Sequence, residues 1–213
     1  MDGMDEVPLL RGVLHSWAVW FAAAGAIVLV VFAQDATARV AASIYGTGLV
    51  ALFAGSALYH RWRWDPRWRP LLRRIDHSTI FVFIAASHTP IGVIVLDGTL
   101  RVVVLAVVWA GAAAGVAFSL AWIDAPRWLQ AGTYIGLGWV AVVATPQMLE
   151  RLSPAPMILI ATGGVLYTLG AVVYARRKPD PWPLTFGFHE IFHAFVIAAA
   201  LCHFAAMAGW VVL

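Results

Sequence analysis

The stretch GFHEIFHAFVIAAALCHFAAMAGWV, residues 187–211, decides the fold class of this chain. It is almost wholly apolar, and its length exceeds the roughly 20 residues that a membrane-crossing helix needs. It therefore predicts a transmembrane helix. Its first turns also carry His189 and His193, four positions apart, with Glu190 between them. Ionisable residues inside a membrane are expensive, so they point to a functional site.

Six further apolar runs of similar length precede this stretch, separated by segments rich in Pro, Gly, Asp or Arg. They cover about 13–33, 40–60, 76–96, 101–122, 127–148 and 155–175. The fifth run gives the weakest signal, because Pro146 lies near its end. The chain is 62% hydrophobic, whereas soluble domains have about 45–50% apolar residues. We expect an all-α membrane protein, a seven-transmembrane helix bundle in one domain over residues 1–213.

Lysines and arginines predict the orientation of the bundle, because they concentrate on the cytoplasmic side. Eleven lie before the first run or in the loops after the second, fourth and sixth runs, and three lie on the opposite side. The N-terminus should be cytoplasmic and the C-terminus outside. The basic charge thus serves topology, and we expect no nucleic-acid partner. The segment before Arg11 is acidic and lacks the basic region of a cleaved signal peptide. With Cys202 alone, no intrachain disulfide is possible.

Polar residues at the cytoplasmic ends of three runs lie at similar depth. They are Ser56 and His60 at the end of the second, Asp76 at the start of the third, and His189 and His193 at the start of the seventh. His189 and His193 share one helix face, as do Ser56 and His60. We expect the fold to bring these five residues together.

Three neutral imidazoles with an open fourth position are the ligand set of catalytic zinc. We therefore predict zinc ligands His60, His189 and His193. Asp76 would accept a hydrogen bond from zinc-bound water or orient a ligand. Ser56 would hydrogen-bond a ligand or a substrate carbonyl. The alternative is that the three histidines are interfacial residues at helix ends.

Other polar residues have simpler interpretations. HEIFH matches the metalloprotease pattern H-E-x-x-H, but Glu190 also suits the start of a helix, where a carboxylate is favoured. We interpret four other histidines as polar packing contacts: His15, His77, His88 and His203. Two glycine pairs, Gly111/Gly115 and Gly132/Gly136, mark either a homodimer face or, as we favour, close packing within one bundle.

Three motifs together resemble the hemolysin III family, the bacterial branch of the progestin and adipoQ receptor group, which includes the adiponectin receptors. They are SALYH (56–60), RRIDHSTIFVFIAASHTP (73–90) and GFHEIFHAFVIAAALCHF (187–204). The resemblance implies zinc held by His60, His189 and His193, Asp76 holding a zinc-bound water, and Ser56 beside them. It also implies kinship with membrane hydrolases and a bacterial plasma (inner) membrane location. One departure is His88, where many relatives have Tyr.

Three functions remain open from the sequence. The first is a zinc-dependent hydrolase acting on an amide or ester of a membrane lipid, with Asp76 as general base and Ser56 placing the oxyanion. The second is a non-enzymatic membrane sensor with structural zinc, and the third is a cytolysin. A retinal protein is excluded, because the only lysine, Lys178, lies in a loop. A haem protein would need histidine pairs on facing helices, such as His189 and His203 with a partner helix.

Overall fold

The computed structural model describes residues 8–213, and within that range it is helical and contains no β-sheet. The predicted domain also includes residues 1–7, which lie outside the described residues. The helices are α1 Val13–Phe32, α2 Ala36–Arg61, α3 Arg69–Pro90, α4 Gly98–Ala121, α5 Arg127–Gly138, α6 Thr145–Arg151, α7 Pro154–Arg176 and α8 Phe188–Ala206. Among the described residues, six segments are long and apolar enough to cross a membrane, namely α1, α2, α4, α7, Arg69–Val95 and Phe188–Val212. This confirms a multi-pass helical membrane protein; the orientation of its termini stays a prediction.

The fifth segment is interrupted, and a proline explains the interruption. Between α5 and α6 the chain runs as a 3₁₀ helix, Trp139–Ala144. Pro146 has no N–H to offer the Val142 carbonyl four residues earlier. The N–H of Thr145 bonds that carbonyl instead, in the tighter three-residue spacing of a 3₁₀ turn. Together α5, the 3₁₀ turn and α6 form one broken segment that lines an internal cavity.

The third helix begins before its apolar run. It starts at Arg69, with Pro70 in its first turn, where a missing N–H costs nothing. Asp76 therefore lies two turns into α3 rather than at its first residue. At its other end α3 passes Pro90 and continues as a wide π turn, Ile91–Val95, closed by a 3.0 Å bond from Leu96 N to the Ile91 carbonyl.

The first glycine pair packs within the bundle. A Cβ added to Gly111 would lie 2.5 Å from Leu137 of α5, and one added to Gly115 would lie 2.2 Å from Phe81 of α3. Both contacts are closer than side-chain carbons can approach, so these glycines let α4 lie against its neighbours. This is the close-packing interpretation of the pair.

The outer surface of the bundle is apolar, as a lipid-facing surface requires. Trp20 and Phe21 of α1 are 72% and 75% exposed. The second glycine pair, Gly132 and Gly136, also faces outward, and a Cβ on either would meet nothing within 4 Å. A homodimer through that pair stays a prediction.

Candidate metal site

Three histidine side chains from two helices converge at one end of the bundle, which we call the histidine end. His60 occupies the last turn of α2, and His189 and His193 occupy the first two turns of α8. Nε2 of His189 lies 3.2 Å from Nε2 of His60. One ring nitrogen from each of the three residues lies within 4.8 Å of the others. The fold thus brings together the three residues predicted as ligands, although His60 and His189 are 129 positions apart in the chain.

The spacing of these nitrogens fits a zinc ion. Tetrahedral ligands at the usual Zn–N distance of about 2.0–2.1 Å lie about 3.3 Å from one another. The 3.2 Å between His60 and His189 is close to that value. His193 is buried, at 3% exposure, and its ring centroid lies 4.4 Å from that of His189 and 5.2 Å from that of His60. The three residues therefore supply the donor type that zinc takes, and the His60–His189 pair also has the spacing.

Asp76 supplies a buried carboxylate beside the histidines. Its Oδ2 lies 3.5 Å from Nε2 of His60 and 3.6 Å from Nδ1 of His77. The residue is 8% exposed and lines the same cavity. His77 also donates from Nδ1 to the Arg73 carbonyl, one turn earlier in α3, at 2.9 Å. The carboxylate therefore lies beside Nε2 of His60, while the His77 ring stays hydrogen-bonded to its own helix.

His15 is part of this group, although the sequence interpretation left it out. Its Nδ1 lies 2.7 Å from Oγ of Ser56, and its ring stacks on that of His193 with centroids 3.9 Å apart and planes 8° apart. Ser56 and His15 are 4% and 2% exposed. The depth argument could have found His15, because it begins the first run on the same predicted side as His60.

Glu190 serves the start of α8 and does not face the cavity. Its Oε1 forms a 2.7 Å ion pair with Nε of Arg11, and its Oε2 accepts a 2.9 Å hydrogen bond from the backbone N–H of Gly187. The residue is 1% exposed and does not line the cavity. Glu190 therefore caps the helix and does not face the three histidines.

The segment before α1 covers the histidine end. The N–H of Leu9 bonds the Leu184 carbonyl at 2.9 Å, which ties this segment to the loop before α8. Gly12 has a positive φ of 74°, and a Cβ there would lie 2.9 Å from Cβ of His60. Glycine thus allows the chain to turn directly against a predicted ligand.

An apolar cavity of about 290 Å³ extends from the histidine end into the far half of the bundle. Its wall includes His60, His189, His193 and Asp76 at one end and His88 and His203 farther in. His88 donates from Nδ1 to the Ile84 carbonyl at 2.7 Å, and His203 donates from Nε2 to the Ile160 carbonyl at 3.2 Å. These two histidines do not join the three predicted ligands.

Comparison with known proteins identifies relatives, two of which match most of the chain. A family model described as haemolysin-III related matches residues 6–204. The chain is 33% identical over 183 residues to Hemolysin-3 of Bacillus cereus, covering 84% of this chain and 80% of that protein. It is 29% identical over 199 residues to the Hemolysin-3 homolog of Bacillus subtilis (strain 168), covering 92% and 90%. It is also 35% identical over 89 residues to the adiponectin receptor protein of Drosophila melanogaster, covering 37% and 20%.

Proposed function

The chain belongs to the haemolysin-III related family, and on that premise we propose that it is a zinc-dependent hydrolase acting on an amide or ester bond of a membrane lipid. One observation carries the proposal. Three histidine nitrogens and the carboxylate of Asp76 converge at the end of an apolar cavity inside a membrane protein. An apolar cavity with a few convergent polar groups is the usual form of a ligand site.

The roles of the residues follow from their chemistry. His60, His189 and His193 hold the metal through neutral ring nitrogens. Zinc, when bound, supplies Lewis-acid chemistry that polarises a carbonyl and makes water acidic near neutral pH. Asp76 accepts the proton of the attacking water and returns it to the leaving nitrogen or oxygen. The apolar wall of the cavity receives the lipid chain and excludes bulk water.

Ser56 has a role that depends on His15. When His15 carries its proton on Nδ1, that N–H donates to Oγ of Ser56 at 2.7 Å. The hydroxyl then keeps its own proton free to donate to a substrate carbonyl oxygen. In the other tautomer the hydroxyl donates to His15, and its proton is no longer available. The oxyanion-placing role of Ser56 thus requires the first tautomer.

The location follows from charge and from the relatives. Eleven of the fourteen lysines and arginines lie on the side of the histidine end, which we assign to the cytoplasm together with the N-terminus. The C-terminus is then outside. The two relatives with hemolysin-3 names come from Bacillus, so the membrane we propose is a bacterial plasma membrane, and its lipids are the partners.

A second candidate is a non-enzymatic membrane sensor in which zinc is structural. The observation that favours it is the contact between His60 of α2 and His189 of α8, because a metal held there would join two helices distant in the chain. In that case zinc removal lowers thermal stability, and the zinc-loaded protein hydrolyses no lipid. A third candidate, a cytolysin, rests only on the names of the relatives. Purified protein that releases no dye from liposomes would exclude it.

The decisive variant is Asp76→Ala, tested on a bacterial lipid extract with release of free fatty acid measured by mass spectrometry. Turnover should fall about 100-fold or more, the usual contribution of a general base. Zinc should stay at about one per chain, because Asp76 is not a ligand in this proposal. The control is Asp124→Ala, which removes an exposed carboxylate paired with Arg73. Full activity in Asp76→Ala would overturn the mechanism.

A further inference from the structure

The far half of the cavity contains polar side chains that the proposed hydrolysis does not use. His88 of α3, Tyr167 of α7 and His203 of α8 all line it, and we call them the far polar cluster. In residues 8–213, Nε2 of His88 and Oη of Tyr167 are buried with no hydrogen-bond partner. The rings of Tyr167 and His203 meet edge to face, with centroids 5.4 Å apart. Buried polar atoms without partners cost free energy, so the cluster calls for a ligand or a water molecule.

The cluster lies at a definite distance from the predicted ligands. His88 is twelve residues after Asp76 in the same helix, which places it about 18 Å along the axis at about 1.5 Å per residue. His203 is ten residues after His193, or about 15 Å by the same rise. Because the rings of Tyr167 and His203 are in contact, Tyr167 lies at a similar depth. The cluster is therefore about 15–18 Å from the histidine end by this helix rise.

Hydrogen-bond chemistry selects the group that would fit there. A backbone carbonyl can only accept, so the bond from His88 to the Ile84 carbonyl places the proton of the neutral ring on Nδ1. Its Nε2 is then an acceptor. The same reasoning makes Nδ1 of His203 an acceptor. The hydroxyl of Tyr167 can both donate and accept. A ligand hydroxyl matches this set, since it donates to an imidazole nitrogen and accepts from the phenol.

We propose that the cavity selects a lipid acyl chain that carries a hydroxyl group at about carbon 12 to 14, counted with the carbonyl carbon as 1. An extended carbon chain advances about 1.25 Å per carbon, from bonds of about 1.5 Å and angles near 111°. The 15–18 Å estimated above from the helix rise therefore corresponds to about 12–14 carbons. The position of the carbonyl at the three histidines rests on the proposed function, whereas the hydrogen bonding at the far polar cluster does not.

The test compares binding of three fatty acids to the purified, zinc-loaded full chain. The probes are stearate, 12-hydroxystearate and, as an isomer with its hydroxyl nearer the carboxyl group but out of reach of the metal, 6-hydroxystearate, each displacing labelled stearate. Wild type should bind 12-hydroxystearate about five-fold more tightly than stearate, as one additional hydrogen bond allows. It should show no such preference for 6-hydroxystearate.

Matched variants separate the cluster from partitioning of the probes into lipid or detergent. His88→Phe and Tyr167→Phe should abolish the preference for 12-hydroxystearate while stearate still binds. Tyr45→Phe should keep it, because the Tyr45 hydroxyl is also buried and unpartnered among the described residues, but Tyr45 does not line the cavity. Tyr167→Phe removes a single oxygen, so it preserves the fold even where His88→Phe does not.

Two results would overturn the inference: equal affinity of wild type for stearate and 12-hydroxystearate, or a preference that persists in both Phe variants. A cluster that holds only water gives the first result. Lipid turnover without discrimination between the acids overturns this inference and leaves the proposed hydrolase intact. Conversely, wild type and Asp76→Ala could both prefer 12-hydroxystearate while wild type hydrolyses no lipid. That result would support this inference and overturn the proposed hydrolase.

Discussion

The two halves of the cavity contain histidines in opposite arrangements. At the histidine end, Nε2 of His60 and Nε2 of His189 face each other at 3.2 Å. In the far half, His88 and His203 each give one nitrogen to a backbone carbonyl. A ring that donates to a carbonyl is fixed in orientation and has one nitrogen left, whereas converging rings leave several nitrogens for one cation. Convergence at equal depth, more than the presence of histidine, is what distinguishes a metal site.

The largest effect should come from removing one of the three histidines that converge at the histidine end. His189→Ala removes one of the three proposed ligands, so the purified variant should lose its zinc. His203→Ala removes a histidine from the same helix but from the far half, and should keep about one zinc per chain. Elemental analysis of both variants beside wild type measures this. Equal zinc content in the two variants would mean that the histidine end is not the metal site.

The next largest effect should come from Glu190. The match of HEIFH to H-E-x-x-H suggests a catalytic role for it, but in the structure it forms an ion pair with Arg11. Breaking a fully buried ion pair costs about 3–5 kcal/mol, and we expect about 2–3 kcal/mol for Glu190→Gln, because the Arg11 side chain is 21% exposed. Zinc content should not change. Denaturant unfolding measures the loss, with the exposed Glu150→Gln as control. Unchanged stability with lost turnover would instead give Glu190 the proton-accepting role.

The sequence predicts more of the bundle than of the site. Run length and charge identify the membrane segments, because hydrophobic thickness constrains every crossing helix in the same way. The i,i+4 spacing and equal depth likewise predict that His60, His189 and His193 lie together. Contacts across helices are different: nothing local shows that His15 stacks on His193, since that depends on how α1 packs. The ion pair of Glu190 with Arg11 depends in the same way on the path of the chain before α1.

His15 offers a smaller and more selective change at the histidine end. His15→Phe keeps an aromatic ring against His193 but removes the 2.7 Å contact with Ser56. His15 contacts His193 by stacking, which Phe retains, so zinc affinity should fall by less than the about 10–100-fold that loss of a ligand's hydrogen-bond partner costs. Competition with a zinc chelator measures the affinity. His88→Phe, in the far half, should leave it unchanged; equal losses in both variants would point to a general packing defect.

The smallest effect is expected at the opposite mouth of the bundle, the end away from the histidine end, where an ion pair between exposed side chains stabilises the fold. Asp97 forms an ion pair with Arg151 and accepts a 2.9 Å hydrogen bond from Gln147. The hydrogen bond from Arg151 is the main reason that the pKa of Asp97 lies below its ordinary value of 3.8. Because the folded state favours the charged carboxylate, its contribution is complete above that ordinary value and is lost as pH falls through the lower folded pKa.

Asp97→Asn removes this titration and keeps the shape of the side chain. The difference in unfolding stability between wild type and variant should therefore shrink as the pH is lowered from near neutral to below the ordinary pKa of the carboxyl group. It should also shrink in high salt, because both partners are exposed and screened. The same difference should appear in a His189→Ala background, since the opposite mouth and the metal site share no residue. A stability difference that does not vary with pH would mean that Asp97 contributes by its shape alone. The end of the bundle at Asp97 would then not depend on charge, and its contrast with the buried histidine end would be wrong.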